Sequence, residues 1–178
     1  MRGNARFIAG MWWLRRPGSM RWLLISALLL APAWGQATEP LRDILHIEGQ
    51  SGPFAPEECC WVDLPRTERL IAAKRAQRCS AIGGPVGRFQ LWEDRIWLIG
   101  LYRCGGDMQL DEIYPEMEGP TLASWLNGQF SVRLELMCFT EGAMPVFRTT
   151  HSFVVEHGEV VETQTETHDG SDCFPPLT

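Results

Sequence analysis

Six cysteines are the residues of this chain whose chemistry is easiest to interpret, and all of them lie after residue 58. They are Cys59, Cys60, Cys79, Cys104, Cys138 and Cys173. No Cys-x-x-Cys spacing occurs, although that spacing is typical of metal and dithiol redox sites. The sequence therefore predicts a disulfide framework.

The spacing of the cysteines does not choose among the possible pairings. A bond between the adjacent Cys59 and Cys60 would close a strained ring, so two longer connections from this pair are expected. One testable arrangement joins the pair to Cys79 and Cys173 and leaves Cys104 to bond Cys138.

Five carboxylates cluster around Tyr114, a pattern that could support hydrolysis. They are Asp107, Asp111, Glu112, Glu116 and Glu118. An acid pair needs two carboxyl groups whose environments drive their pKa values apart, with one group usually desolvated. Here the neighbours are Gly, Pro and polar residues, which indicates solvated charge. The chain also lacks the common nucleophile, zinc and dinucleotide motifs. We predict no catalytic residue, and keep Asp107, Asp111 and Glu112 as candidates for binding.

Three histidines near two aspartates form the best metal-ligand pattern in the chain. His151 and His157 are six residues apart, so they share a face if they share a strand. The alternative places His157 in a turn with Gly158 and His168 in a tail with Asp169 and Asp172. We favour the alternative, and predict no metal and no cofactor.

Tryptophans are the candidates for a binding surface. An exposed indole offers a large apolar area with one polar edge, which suits stacking on a sugar or anchoring a protein interface. A place in a β core is the more common role, and is expected for Trp92 or Trp97. We take Trp61, Trp97 and Trp125 as candidate binding residues.

Residues 1–37 have the order of segments typical of a signal peptide. Five arginines and no acidic residue accompany the apolar run 22–33, and small residues follow at Gly35 and Ala37. The 12-residue run would extend roughly 18 Å as a helix, whereas a hydrocarbon core is about 30 Å thick. We therefore favour a cleaved signal over a membrane anchor. Residues 38–178 are predicted to form one exported domain, periplasmic or secreted, without a membrane anchor.

The predicted domain is strongly acidic. Residues 1–37 hold five of the 16 basic residues and none of the 22 acidic ones, so residues 38–178 carry a net charge of about −11. Such a surface repels phosphate backbones and anionic lipid headgroups. It argues against nucleic-acid binding and favours a cationic protein as a partner if electrostatics steer the encounter, although solubility is the more common reason for such a charge.

Alternating apolar residues predict an antiparallel meander in the second half of the chain. Residues 87–92 and 95–102 flank Glu93 and Asp94, which form a two-residue connection suited to a hairpin. Residues 121–126, 130–139, 146–156 and 159–166 are predicted as further strands, the last of them a charged edge strand.

The first half of the chain is less regular. Residues 44–48 are predicted as a strand and residues 51–56 as a loop. Thr67 precedes a run with acidic residues early and basic ones late, which predicts a helix within residues 65–78. A short helical turn is expected at residues 110–114.

Part of this pattern resembles an uncharacterised family of bacterial β-rich domains that have a Trp-containing hairpin and a later Ala-x-Trp-x-x-Gly turn. The matching pieces fall within residues 87–165 and are held by aromatic residues and glycines, at 87–92, 96–98, 113–115, 123–128 and 156–161. The resemblance implies a β-rich fold and implies no activity.

The predicted fold is mainly β: an antiparallel meander that forms a sandwich or an open barrel, with one N-terminal helix and disulfide bonds as braces. The predicted function is an exported, non-catalytic binding protein, for instance an inhibitor or immunity-type protein for a basic, envelope-active partner. The alternatives are a glycan-binding or weakly hydrolytic cell-wall domain and a structural subunit of an envelope complex.

Overall fold

The computed structural model describes residues 40–77 and 83–174. Within these ranges the chain is mostly β, as predicted, and residues 38–178 form one compact unit. The predicted signal peptide and Cys79 lie outside the described residues.

Nine strands and two helices occur in the described ranges. The strands are β1 (Ile44–Ile47), β2 (Gln50–Pro56), β3 (Val86–Trp92), β4 (Arg95–Arg103), β5 (Gly106–Met108), β6 (Thr121–Leu122), β7 (Gly128–Phe139), β8 (Pro145–Glu156) and β9 (Glu159–Thr167). The helices are α1 (Glu68–Ala76) and α2 (Leu110–Ile113).

The strands form a single sheet that curls back on itself as a partly open barrel. Its order is β3-β1-β2-β7-β8-β9-β4-β5, and β3 also pairs with β4. The contact between β9 and β4 is a single residue pair, Glu159 with Arg95. Two hydrogen bonds flank it, from the Ile96 amide to the Gly158 carbonyl and from the Val160 amide to the Asp94 carbonyl, at 2.8 and 2.7 Å.

Two tight hairpin turns hold the strands of this closure in place. Glu93 and Asp94 both have positive φ, at 50° and 55°, and so do His157 and Gly158, at 52° and 82°. Two successive left-handed residues match the twist of the flanking strands in a two-residue turn. Both predicted connections, and the strands on either side of them, are confirmed.

The predicted alternation of β7 holds for its first half only. Phe130, Val132 and Leu134 are buried, but Leu136 is 53% exposed. Glu135 has a φ of 55°, and the register with β8 shifts between Leu136 and Cys138. Because a bulge reorients the side chains that follow it, the alternation breaks there.

Helix α1 is confirmed, and so is the short helix α2. The Thr67 side chain accepts a hydrogen bond from the Leu70 amide at 3.0 Å, which caps α1. Leu70 is the buried residue of α1. The Arg69 guanidinium donates to the backbone carbonyls of Asp111 and Glu112, at 3.3 Å each, and so ties α2 to α1.

Three predictions about the sheet are wrong. Residues 51–56 form β2 rather than a loop, β1 pairs with β3 in parallel, and residues 123–126 are not a strand. The prolines of β2 suggested a loop, but Gly52 lets β2 lie against β7, where a Cβ atom would collide with the Arg133 carbonyl. Phe54 then enters the core and packs against Phe89 and Phe130.

The disulfide arrangement expected from the sequence is also wrong. Cys59 bonds its neighbour Cys60, and Cys138 bonds Cys173. Cys104 is disulfide-bonded as well. After β9 the chain turns back along the end of β7, where the Phe174 amide donates to the Phe139 carbonyl at 2.8 Å. This return places Cys173 beside Cys138.

Candidate functional site

One cleft of the described residues brings two of the predicted tryptophans together. Its volume is about 680 Å³, and it lies between the segment after β2, the start of β3 and the segment before β7. Trp61 and Trp125 line it, as do the charged residues Glu58, Asp63 and Lys74. A cleft with aromatic walls and a few charged groups can hold a small polar ligand.

The backbone fixes both indole rings. The Trp61 N–H donates to the Leu41 carbonyl at 2.7 Å, and the Trp125 N–H donates to the Asp63 carbonyl at 2.8 Å. Trp61 is 39% exposed. Gly83 lies under its ring, where a Cβ atom would be 2.8 Å from the indole nitrogen. Because both N–H groups are occupied, the ring faces and edges are what the two indoles can offer to a ligand.

Asp43 is a buried carboxylate at the bottom of the cleft, and the sequence analysis missed it. Its side chain accepts hydrogen bonds from the Val62 amide, at 2.8 Å, and from the Gly87 amide. Desolvation by burial raises its pKa to about 6, against the opposing effect of those two bonds and of Lys74. Asp43 therefore links the start of β1 to β3 and to the segment at Val62 that lines the cleft. No pattern in the sequence indicates this role.

The Cys59–Cys60 disulfide lies beside this cleft, which Cys59 lines. Both cysteines line a second cleft of about 450 Å³, which lies against β2 and β7. Both are exposed. The bond constrains the segment that carries Trp61, the next residue in the chain.

Trp97, the third predicted tryptophan, lies elsewhere. Its ring centre is 6.2 Å from that of Trp92 on the outer face of the β3–β4 hairpin. Trp92 is 59% exposed. The core role expected for one of the two is therefore not supported, since Ile96, Leu98 and Leu101 are the residues of β4 that enter the core.

The predicted carboxylates are not assembled into one site. Asp107 forms an ion pair with Arg88 at 2.9 Å. The Glu112 carboxylate accepts from the Gln109 amide at 3.2 Å and caps α2. Asp111 is exposed on the same helix. Since Asp107 and Glu112 have structural partners, their geometry does not resemble an acid pair.

The histidines have separate surroundings. His151 is 2.9 Å from the Thr165 hydroxyl across β8 and β9, and His157 lies in the turn that follows β8, as expected. In residues 40–77 and 83–174 there is no group of three or more residues arranged to hold a metal ion. No helix in the same ranges is long and apolar enough to cross a membrane.

Four glutamates point outward from β8 and β9, and we call this surface the acidic face. It consists of Glu156, Glu159, Glu162 and Glu166, all exposed. Phe153 and Val155 of β8 are buried, so the alternate residues of that strand face outward. Glu162 lies opposite Val154 and Glu166 opposite Thr150, which places both glutamates on the outward side.

Arg95 is the cation that contacts the acidic face, through an ion pair with Glu159 at 3.0 Å. The charged strand at residues 159–166 was predicted from the sequence. Its pairing with residues 146–156 was predicted as well, but the sequence analysis did not identify Glu156 and the glutamates of β9 as one surface.

Comparisons of the chain with protein-family models, with curated proteins and with solved structures find no match. The resemblance to a bacterial β-rich family therefore stays a prediction.

Proposed function

We propose that the protein is an exported, non-catalytic binding protein that recognises a basic, envelope-active protein, as an inhibitor or immunity-type protein would. The observation that carries the proposal is the acidic face, on which four exposed glutamates of two paired strands point the same way. The net charge of about −11 for residues 38–178 has the same sign.

Charge complementarity accelerates encounter with a cationic partner and discriminates against anionic ones. Exposed charges are screened by salt, with a Debye length of about 10 Å at 0.1 M. Association through the acidic face should therefore weaken steeply as salt is added.

Affinity capture from a periplasmic extract tests the proposal, with two variants that lose the same charge in different places. Glu162→Gln/Glu166→Gln removes two charges from the acidic face, and Glu116→Gln/Glu118→Gln removes two exposed charges near α2. We expect the wild type and the second variant to retain the same basic proteins at 50 mM salt. The first variant should retain at least tenfold less. Equal capture by both variants, or capture that high salt does not reduce, would contradict the proposal.

Glycan binding is the second candidate, and the cleft that joins Trp61 and Trp125 favours it. Trp61→Ala should reduce retention on insoluble peptidoglycan at least tenfold. Trp92→Ala is the control, because Trp92 is an exposed indole outside the cleft. Equal retention of both variants would exclude the cleft as the glycan site, provided both melt within a few degrees of the wild type.

A further inference from the structure

Strand β9 has an edge without a neighbouring strand over most of its length. It runs antiparallel to β4. Glu159 and Arg95, which pair, are the first residues of β9 and β4. The next residues of β9 pass the turn of the β3–β4 hairpin, which precedes the first residue of β4. In residues 40–77 and 83–174, no strand pairs with residues 161–167 of β9 on the side away from β8.

The ladder with β8 shows which backbone groups point to this open side. The His168 amide donates to the Arg148 carbonyl at 2.8 Å, which makes that pair a hydrogen-bonded one. Hydrogen-bonded and non-hydrogen-bonded pairs alternate along an antiparallel ladder. Thr163, Thr165 and Thr167 belong to non-hydrogen-bonded pairs with β8. Their backbone N–H and C=O groups therefore face the open edge.

We propose that this edge receives an extended segment of the partner, which adds a strand to the sheet and carries Lys or Arg at every second position. The proposal rests on the proposed function and names the binding mode for the basic protein. Seven residues of β9 extend about 23 Å at ~3.3 Å each, which accommodates a strand of six or seven residues. Strand addition supplies affinity through main-chain hydrogen bonds and specificity through alternate side chains.

The side chains of β9 select the occupant. Glu162 and Glu166 point to one face and flank Gln164, whereas the threonines point to the other. An added strand therefore meets carboxylates on one face and hydroxyl groups on the other. Basic residues at alternate positions lie beside the carboxylates, and β-branched residues between them lie beside the threonines. Cross-strand pairs of opposite charge stabilise a sheet.

A second copy of this chain is a poor occupant for the same reason. Two β9 strands that pair antiparallel about Gln164 would set Glu162 of each copy opposite Glu166 of the other. Like charges directly opposite each other destabilise a sheet pair, and charge on an edge is a common protection against self-association. The glutamates thus disfavour a second β9 in this register and favour a basic strand.

Binding of synthetic peptides to the full chain tests the proposal by fluorescence anisotropy at 50 mM salt. The probe is an eight-residue peptide of alternating Lys and Val, and its control has the same composition with the lysines and valines in two blocks. We expect the alternating peptide to bind at least tenfold more tightly. Two further probes carry N-methyl groups, one on the valine amides and one on the lysine amides. One of them should lose binding and the other should keep it, because only one edge of the added strand meets β9.

Protein variants and amide exchange complete the test. Thr163→Pro removes an N–H that faces the open edge and should weaken the alternating peptide at least tenfold, while Thr163→Val should not. If the proline variant misfolds, slower amide exchange at Thr163 and Thr165 of the wild type on peptide binding reports the same contact. Equal binding of the alternating and block peptides, or of both methylated peptides, would overturn strand addition and leave recognition by charge intact. No binding of any lysine peptide would overturn both, and a dimer in solution that Thr163→Pro dissociates would assign the edge to a second copy.

Discussion

The indole N–H of Trp125 donates to the backbone carbonyl of Asp63 across a distance of 2.8 Å. This bond ties the segment before β7 to the segment that follows the Cys59–Cys60 pair, so it holds two walls of the cleft together. The indole N–H of Trp97, in contrast, is buried and has no hydrogen-bond partner among the described residues.

Replacing each of these tryptophans by phenylalanine measures what the hydrogen bond of Trp125 contributes to stability. Trp97→Phe removes a buried donor that lacks a partner, which offsets part of the loss of ring area. Trp125→Phe loses the same ring atoms and also a hydrogen bond. We expect Trp125→Phe to lower the free energy of unfolding by about 1 kcal/mol more than Trp97→Phe. Urea denaturation of both variants measures the difference, and a larger loss for Trp97→Phe would contradict it.

Local chemistry explains what the sequence could predict. Both tight turns, the Thr67 cap of α1 and the alternation in the first half of β7 depend on residues a few positions apart, and all were predicted. The prediction of a loop at residues 51–56 was wrong because these residues form a strand by pairing with β1 and β7. Strand β7 is more than 70 residues away in the sequence, so no local pattern indicates the pairing.

The candidate sites depend even more on distant contacts. Trp61 and Trp125 could be chosen by residue type, but only the folded chain shows that they share a cleft that excludes Trp97. Asp43 gives no sequence signal, because the amides that donate to its side chain, at Val62 and Gly87, are distant from it in the sequence. The Cys138–Cys173 bond depends on the return of the chain after β9, which no spacing of cysteines encodes.

Asp43 should make stability decrease as pH rises through the weakly acidic range. Its pKa is about 6 in the folded chain against the ordinary value of 3.8, so the folded state binds the extra proton between these values. Stability falls with pH wherever the folded state binds more protons. At 1.36 kcal/mol per pKa unit, the loss between pH 4 and pH 7 is on the order of 3 kcal/mol.

Asp43→Asn isolates this contribution, because an amide does not titrate in this range. The free energy of unfolding of the wild type minus that of the variant should fall by on the order of 3 kcal/mol from pH 4 to pH 7. Denaturant titrations at several pH values measure it. A difference that stays constant or grows with pH would show that the carboxylate is not destabilised by burial.

Gly158 should tolerate no side chain. Its φ is +82°, and a Cβ atom would lie 2.7 Å from the Ala123 carbonyl oxygen, beside the hydrogen bond from the Gly158 amide to the Leu126 carbonyl. We expect Gly158→Ala to destabilise the fold by about 2 kcal/mol or more. Gly119→Ala is the control, since no described atom beyond its two chain neighbours lies within 4 Å of its Cβ position. Similar melting temperatures of the two variants would refute the close approach at this turn.

The two described disulfides should differ in their effect on stability. Cys138 and Cys173 are 35 residues apart, so their bond restricts a long stretch of the unfolded chain. Cys138→Ser/Cys173→Ser should lower the free energy of unfolding by about 3–4 kcal/mol. Cys59→Ser/Cys60→Ser removes a bond between neighbours, which restricts almost no loop, and should cost less than about 1 kcal/mol. Its effect should appear instead at the cleft, as increased exposure of the adjacent Trp61 to a fluorescence quencher. Equal losses of stability from the two double variants would show that loop closure is not how the Cys138–Cys173 bond acts.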